Sequence, residues 1–165
     1  MGDNVESRAP MRYVMRKDVR SISEDYWVED QSGDRVFKVD GKALSVRHAF
    51  ALEDADGSVV ATIAEQFFSV RDAMEIDLGD RKIKVHEEVP GKRDRYHVRV
   101  PDGPSLRVRG QVADHEYNVT AGDRTVATVS TAWFEIPHSF GVEVGAGEDP
   151  ALILCVAVAM DSMAY

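Results

Sequence analysis

The 165-residue chain has one cysteine, Cys155, so no disulfide can form within it. That cysteine sits inside an apolar run, which suits a buried small hydrophobe better than a nucleophile. Residues 1–10 contain no apolar stretch, indicate neither a signal peptide nor a transit peptide, and read as a disordered tail. A cytoplasmic location is the expectation. Positive charge is in deficit: 20 Lys and Arg against 29 Asp and Glu give a net charge of −9. The molecule as a whole repels polyanions, so no nucleic-acid partner is expected.

Catalytic signatures are missing as well. The chain has no Gly-x-Ser-x-Gly elbow, no phosphate-binding loop and no paired catalytic carboxylates. Its five histidines (His48, His86, His97, His115 and His138) lie far apart in sequence, and none has metal-ligand spacing to a second ligand. The nearest approach is His86-Glu87-Glu88, where strand alternation would let His86 and Glu88 share a face but not Glu87. Gly145-Ala146-Gly147 precedes a helix, but Glu148 and Asp149 would repel an anion from that helix start. No catalytic residue, metal ligand or cofactor is assigned. A hydrolase or transferase would instead need a deep pocket with converging titratable groups, which arises only from the fold.

What the sequence does have is an unusual ending. Asp149 and Pro150 suit a helix cap and first helical position, and every residue from 151 to 160 is apolar. A helix spanning about 149–161 therefore has no face for water. Ten residues reach only about 15 Å, half of a hydrocarbon core of roughly 30 Å, so no transmembrane segment is predicted. The helix must be enclosed by the rest of the chain.

That remainder reads as β-structure. Over residues 11–144, turn pairs such as Ser32-Gly33, Asp40-Gly41, Asp56-Gly57, Pro90-Gly91 and Asp102-Gly103 separate about a dozen strand-length segments rich in Val, Ile, Phe and Tyr. A short helical turn near residues 70–74 is the one other exception. An internal repeat supports a curled sheet: Glu29-Asp30-Gln31-Ser32-Gly33 recurs as Glu53-Asp54-Ala55-Asp56-Gly57, and Ser45-Val46-Arg47 as Ser69-Val70-Arg71. A third echo returns Val60-Ala61-Thr62-Ile63 with Phe67-Phe68 as Val126-Ala127-Thr128-Val129 with Trp133-Phe134. Repeated hairpins fit a sheet closing around a common centre, here the apolar helix. Residues 11–165 are expected to form one domain.

The same stretches carry a family likeness. Glu29-Asp30-x-x-Gly33-x-x-Val36-Phe37-Lys38-Val39-x-Gly41-Lys42-x-Leu44-Ser45, Leu52-x-Asp54-x-x-Gly57, Glu116-Tyr117-x-Val119, and Val126-Ala127-x-Val129-Ser130-x-x-Trp133-Phe134 leading to Gly147-Glu148-Asp149 occur in family order. On these the sequence resembles the LURP-one-related family, whose fold is similar to the tubby C-terminal domain and phospholipid scramblases. The resemblance implies an all-β, roughly twelve-stranded closed antiparallel barrel wrapped around the buried C-terminal helix. Tubby-like domains bind phosphoinositide head groups through a Lys-x-Arg pair on a strand similar to residues 59–70 here. This chain has Ala61-Thr62-Ile63-Ala64-Glu65 there and no cation before Arg71, so that site is not carried over. The cysteine cluster and calcium segment of scramblases are also absent.

One charged stretch stands out. Residues 79–109 hold nine Lys or Arg against five Asp or Glu, a local excess of +4 that leaves −13 elsewhere. Within it, Arg81, Lys82, Lys84, Lys92, Arg93 and Arg95 are the candidate anion-binding residues, with Gly91-Lys92-Arg93-Asp94-Arg95 reading as a hairpin tip. Trp133-Phe134 and Trp27 read as alternating between core and surface along strands. The expected function is a non-enzymatic binding or scaffold domain for an anionic head group or a protein partner. The alternative is a peripheral membrane protein that binds phospholipid through residues 81–95, or handles lipid as the scramblase resemblance implies.

Overall fold

A computed structural model describes residues 9–18, 25–41, 49–66, 73–134 and 136–164. His48, both Ser-Val-Arg copies of the repeat and Phe67-Phe68 lie outside the described residues, as do residues 1–8 of the expected tail. The strands are β1 (Met11–Lys17), β2 (Tyr26–Glu29), β3 (Arg35–Asp40), β4 (Ala49–Asp54), β5 (Val59–Glu65) and β6 (Ala73–Asp77). They continue with β7 (Lys82–Glu87), β8 (Arg95–Arg99), β9 (Leu106–Gln111), β10 (Glu116–Ala121), β11 (Arg124–Ser130) and β12 (Ser139–Val144). A 3₁₀ turn, Val112–Asp114, joins β9 to β10, and helix α1 (Pro150–Met163) ends the chain.

Each strand pairs antiparallel with its neighbours in sequence, and β1 pairs with β12 from Met11↔Val144 to Arg16↔Ser139, closing a twelve-stranded up-and-down barrel. Closure leaves no sheet edge unpaired. The strands are four to seven residues long, shorter than the roughly nine to eleven that cross a bilayer. Among the described residues no helix is long and apolar enough to cross a membrane.

The sequence repeat is one hairpin built twice. Asp30 Oδ1 accepts from the backbone N–H of Ser32 (2.8 Å) and Asp34 (3.1 Å). Asp54 Oδ1 does the same for Asp56 (2.9 Å) and Ser58 (3.0 Å). Gly33 and Gly57 take φ of +85° and +84°, the left-handed conformation these Asx-nucleated turns require.

The buried strand residues and α1 form one core. Each residue from 152 to 160 is buried, so the helix is apolar around its circumference, and it packs chiefly on β5, β6, β12 and the 3₁₀ turn. Asp149 is its N-cap, accepting from Ala151 N–H at 3.0 Å, with Pro150 at the first helical position. The cap is tied to the barrel rim. Arg81 pairs with Asp149 (3.3 Å) and Arg124 with Glu148 (2.7 Å), while Gly145 N–H donates to Val126 O (2.8 Å). Gly145-Ala146-Gly147 is thus the turn that feeds the chain into the barrel, and the helix runs two residues past the expected end, through Asp161 to Met163. Cys155 is fully buried, and burial followed by the Asp149 charge pushes its thiol pKa up.

Two local expectations are corrected. No helical turn forms at residues 73–74: Ala73 and Met74 belong to β6, which pairs with β5 (Glu65↔Met74) and β7 (Ala73↔His86), so their backbone groups are committed to ladders on both sides. Residues 70–72 lie outside the described residues. Trp133 and Phe134 do not alternate along a strand either. They fall in the loop after β11 and lie across β12, where a Cβ on Gly141 would come within 2.5 Å of the Trp133 ring and 2.9 Å of Phe134. The Arg12 guanidinium covers Trp133 at 4.5 Å, just as Arg35 and Lys38 flank Trp27 at 4.2 and 5.1 Å.

Gly110 fixes the end of β9. Its φ is +140°, and a Cβ there would lie 2.6 Å from Glu116 O and 2.8 Å from Tyr117 Cα, both backbone atoms. Gly110→Ala is therefore expected to cost about 2 kcal/mol, read as a lower midpoint in urea with unchanged slope; an unchanged midpoint would contradict this geometry.

Candidate functional site

The outer surface of β7, β8 and β9 gathers much of the basic stretch. In β7, Ile83 and Val85 point into the core while Lys82, Lys84 and His86 point out. In β8, Tyr96 and Val98 are buried and Arg95, His97 and Arg99 point out; in β9, Leu106 and Val108 are buried and Arg107 and Arg109 point out. The register sets these side chains in rows: Lys84 opposite Arg99, His86 opposite His97 and then Arg107, Arg95 opposite Arg109. Like charges directly across a ladder destabilise a sheet, so this face carries a standing electrostatic cost. Arg95 is relieved by Asp94 (3.2 Å) and Arg109 by Glu88 (3.1 Å). Lys82, Lys84, Arg99 and Arg107 have no ion pair among the described residues. Asp77 and Glu75 of β6, opposite Lys82 and Lys84, form the acidic border of the patch.

His97 reports the field at its centre. Burial lowers its pKa, and the neighbouring His86, Arg107 and Arg99 lower it further against a weaker opposing pull from Glu88. Its ring meets that of His86 edge to face at 5.3 Å. His86 Nδ1 lies 2.9 Å from Glu87 O, and Glu88 is held by Arg109, so the His86-Glu88 pair does not converge on an ion. No group of three metal-ligating side chains occurs among the described residues.

The six predicted residues therefore separate. Lys82, Lys84 and Arg95 share the outer face, and Lys92 and Arg93 are exposed on the adjoining β7–β8 hairpin at residues 88–94, beside the exposed Val89. Arg81 is at the far end of β7, about 17 Å away by strand rise, and ties down the helix cap. Arg99, Arg107, His97 and Arg109 complete the face. The period-two patterns Arg95-x-His97-x-Arg99 and Arg107-x-Arg109 are the signal that would have found them.

A second cluster lies where α1 leaves the barrel. A cleft of about 440 Å³ is lined by Lys17, Tyr26, His115, His138, Ser139, Phe140 and Asp161. Asp161 Oδ1 pairs with His115 Nε2 at 2.8 Å, and the Tyr26 hydroxyl donates to Oδ2. Burial opposes ionisation of Asp161, but the hydrogen bonds from His115 and Tyr26, with the charges of His115 and Lys17, outweigh it and hold the carboxyl below the usual range. His115 stacks on Phe140 at 4.2 Å and 11°. Tyr117, two residues beyond His115, has a buried hydroxyl without a hydrogen-bond partner among the described residues; burial and then the Asp161 charge raise its pKa.

The backbone of this cleft is strained. Three non-glycine residues have positive φ among those described, and two are His115 (+56°) and His138 (+57°), both lining it. Each left-handed residue costs of order 1 kcal/mol. No spacing rule joins His115 to Asp161, 46 residues on, which is why the sequence conceals the cluster.

The protein is a closed twelve-stranded antiparallel barrel threaded by an apolar helix, with cations displayed on the outside of three strands. The family model for LURP-one-related proteins matches residues 11–161, and the chain belongs to that family. It is 21% identical over 152 residues to the uncharacterized protein YxjI of Bacillus subtilis, covering 92% of both chains. It is 20% identical over 171 residues to Protein LURP-one-related 14 of Arabidopsis thaliana, covering 92% of this chain and 84% of that one. An X-ray structure of an Arabidopsis thaliana protein superposes with a TM-score of 0.70 at 19% identity, covering 96% of this chain and 93% of that one, a likeness of fold.

Proposed function

We propose that this protein is a non-enzymatic, cytoplasmic binding domain that docks on an anionic surface through the outer face of β7–β9. The observation that carries this reading is the row structure of that face: Lys84 stands directly against Arg99, and neither of these nor Arg107 has an ion pair among the described residues, a repulsion kept on a protein with net charge −9. An anionic partner would turn that cost into attraction. The filled barrel centre supports a binding role, since α1 occupies the volume in which other barrels hold ligands. Exposed Val89 beside Lys92 and Arg93 favours phospholipid as the anionic surface, because an apolar tip flanked by cations suits a headgroup interface.

Vesicle co-sedimentation tests this. The protein should pellet with vesicles of mixed phosphatidylserine and phosphatidylcholine at low salt, less at physiological salt, and not with phosphatidylcholine alone. The Lys84→Glu, Arg99→Glu, Arg107→Glu variant should lose the binding while keeping its fold, the three side chains being exposed. Absence of binding at low salt would overturn the lipid reading. Binding untouched by the triple substitution would overturn the assignment of the face.

A further inference from the structure

We propose that docking on the outer face of β7–β9 is coupled to proton uptake by the His86–His97 pair, so that the face grips an anionic surface more tightly as pH falls; the inference rests on the reading of that face given above. The two histidines stand directly opposite each other across the β7–β8 ladder, and their rings meet edge to face at 5.3 Å. Both are partly exposed. His86 Nδ1 lies 2.9 Å from Glu87 O, and a carbonyl oxygen only accepts, so Nδ1 carries the hydrogen and Nε2 is the nitrogen left to take a proton. Neither ring nitrogen of His97 has a hydrogen-bond partner among the described residues.

The charges around the pair come from four strands. Along β7, Lys84 precedes His86 by two residues and Glu88 follows it by two, while Glu87 is buried. On β8, Arg95 and Arg99 flank His97; on β9, Arg107 stands opposite His97 and Arg109 opposite Arg95. On β6, the residue opposite His86 is the uncharged Ala73, and Glu75 faces Lys84. Glu88 is held by Arg109 and Asp94 by Arg95, which leaves Lys84, Arg99 and Arg107 as cations without an ion pair beside the two rings. A proton arriving on the pair is therefore opposed in the free protein, and the lowered pKa of His97, through burial first and then His86, Arg107 and Arg99, has the same sense. An anionic surface seated on those cations cancels their share of the opposition. Docking also covers the rings, which works the other way, but a headgroup layer is hydrated and dense in negative charge, so the cancellation wins. The docked state then holds more protons than the free one, and by linkage its affinity rises as pH falls.

The test is co-sedimentation of the full chain with the same vesicles of phosphatidylserine and phosphatidylcholine, at constant low ionic strength and at pH 8, 7 and 6. The apparent affinity should rise about fivefold or more from pH 8 to pH 6, the lower end of typical coupling between two sites. The His86→Gln, His97→Gln variant keeps polar side chains that cannot charge; it should match the wild type at pH 8 and lose the gain at pH 6. His97→Gln alone should lose most of it, which keeps the test decisive if the double variant folds poorly. Salt-sensitive binding as strong at pH 8 as at pH 6, or a gain that survives in the variants, would overturn the coupling and leave the anionic-surface reading standing. Binding at none of the three pH values would overturn that reading and the coupling with it.

Discussion

Replacing Leu154 by Asp should leave the chain without a folded state. Leu154 is completely buried at the middle of α1, inside a barrel closed on every side, so the new carboxylate would have no path to water. Losing the leucine's burial costs about 2–5 kcal/mol, and enclosing a carboxyl without a partner adds several more even if it takes up a proton. The sum equals or exceeds the roughly 5–15 kcal/mol by which a domain of this kind is stable. Val156, also fully buried, should behave the same way as Val156→Asp. Leu154→Met, which conserves volume, should cost less than about 1.5 kcal/mol and separates charge from shape. Circular dichroism and amide-proton dispersion measure the outcome. A Leu154→Asp protein melting at the wild-type temperature would mean that the helix does not sit in the barrel centre.

The helix was legible because its physics is local. Ten successive apolar residues behind an Asp-Pro start admit one environment, and that environment demands a closed sheet of about a dozen strands around it. The hairpins were legible for a similar reason: Asp30 and Asp54 each fold their own turn through two backbone N–H groups within four residues. Alternation in β8 and β9 was equally local, and it carried a signal for His97, Arg99, Arg107 and Arg109, which lie outside the candidate set.

What the sequence withheld depends on register and closure. Arg81 is adjacent to Lys82 in sequence yet serves the helix cap, because the turn before β7 meets the start of α1 only once the barrel has closed. Trp133 and Phe134 looked like strand residues, and their true place is set by Gly141, whose missing side chain makes room for both rings. His115, Tyr26 and Asp161 come from a turn, a strand and the helix end, and no periodicity connects them.

Asp161→Ala should be the most damaging change at the barrel's end, lowering stability by about 3 kcal/mol at pH 7. The carboxylate accepts two hydrogen bonds in a largely buried setting, and its loss removes that acceptor from both the Tyr26 hydroxyl and the His115 ring, beside a Tyr117 hydroxyl that has no partner among the described residues. Hydrogen bonds to charged groups contribute about 1.5–3 kcal/mol each, and part of the pair is recovered by water entering from the open cleft. For a chain of this length the melting temperature should fall by roughly 6–12 °C. The effect has a pH signature with a definite sign. The folded-state pKa of Asp161 lies below its unfolded value, so its contribution is fully present above the unfolded value of about 3.9 and is lost as pH falls through the folded one. Urea denaturation of the two proteins should therefore show a wide gap at pH 7 that narrows below about pH 4, as the wild type itself becomes protonated there. Asp161→Asn should lie between them at neutral pH, since an amide oxygen can accept one of the two bonds while its NH₂ faces the other donor. A gap of constant width from pH 7 to pH 3 would show that Asp161 holds the helix end by packing alone, and that its charge has no part in organising the cleft.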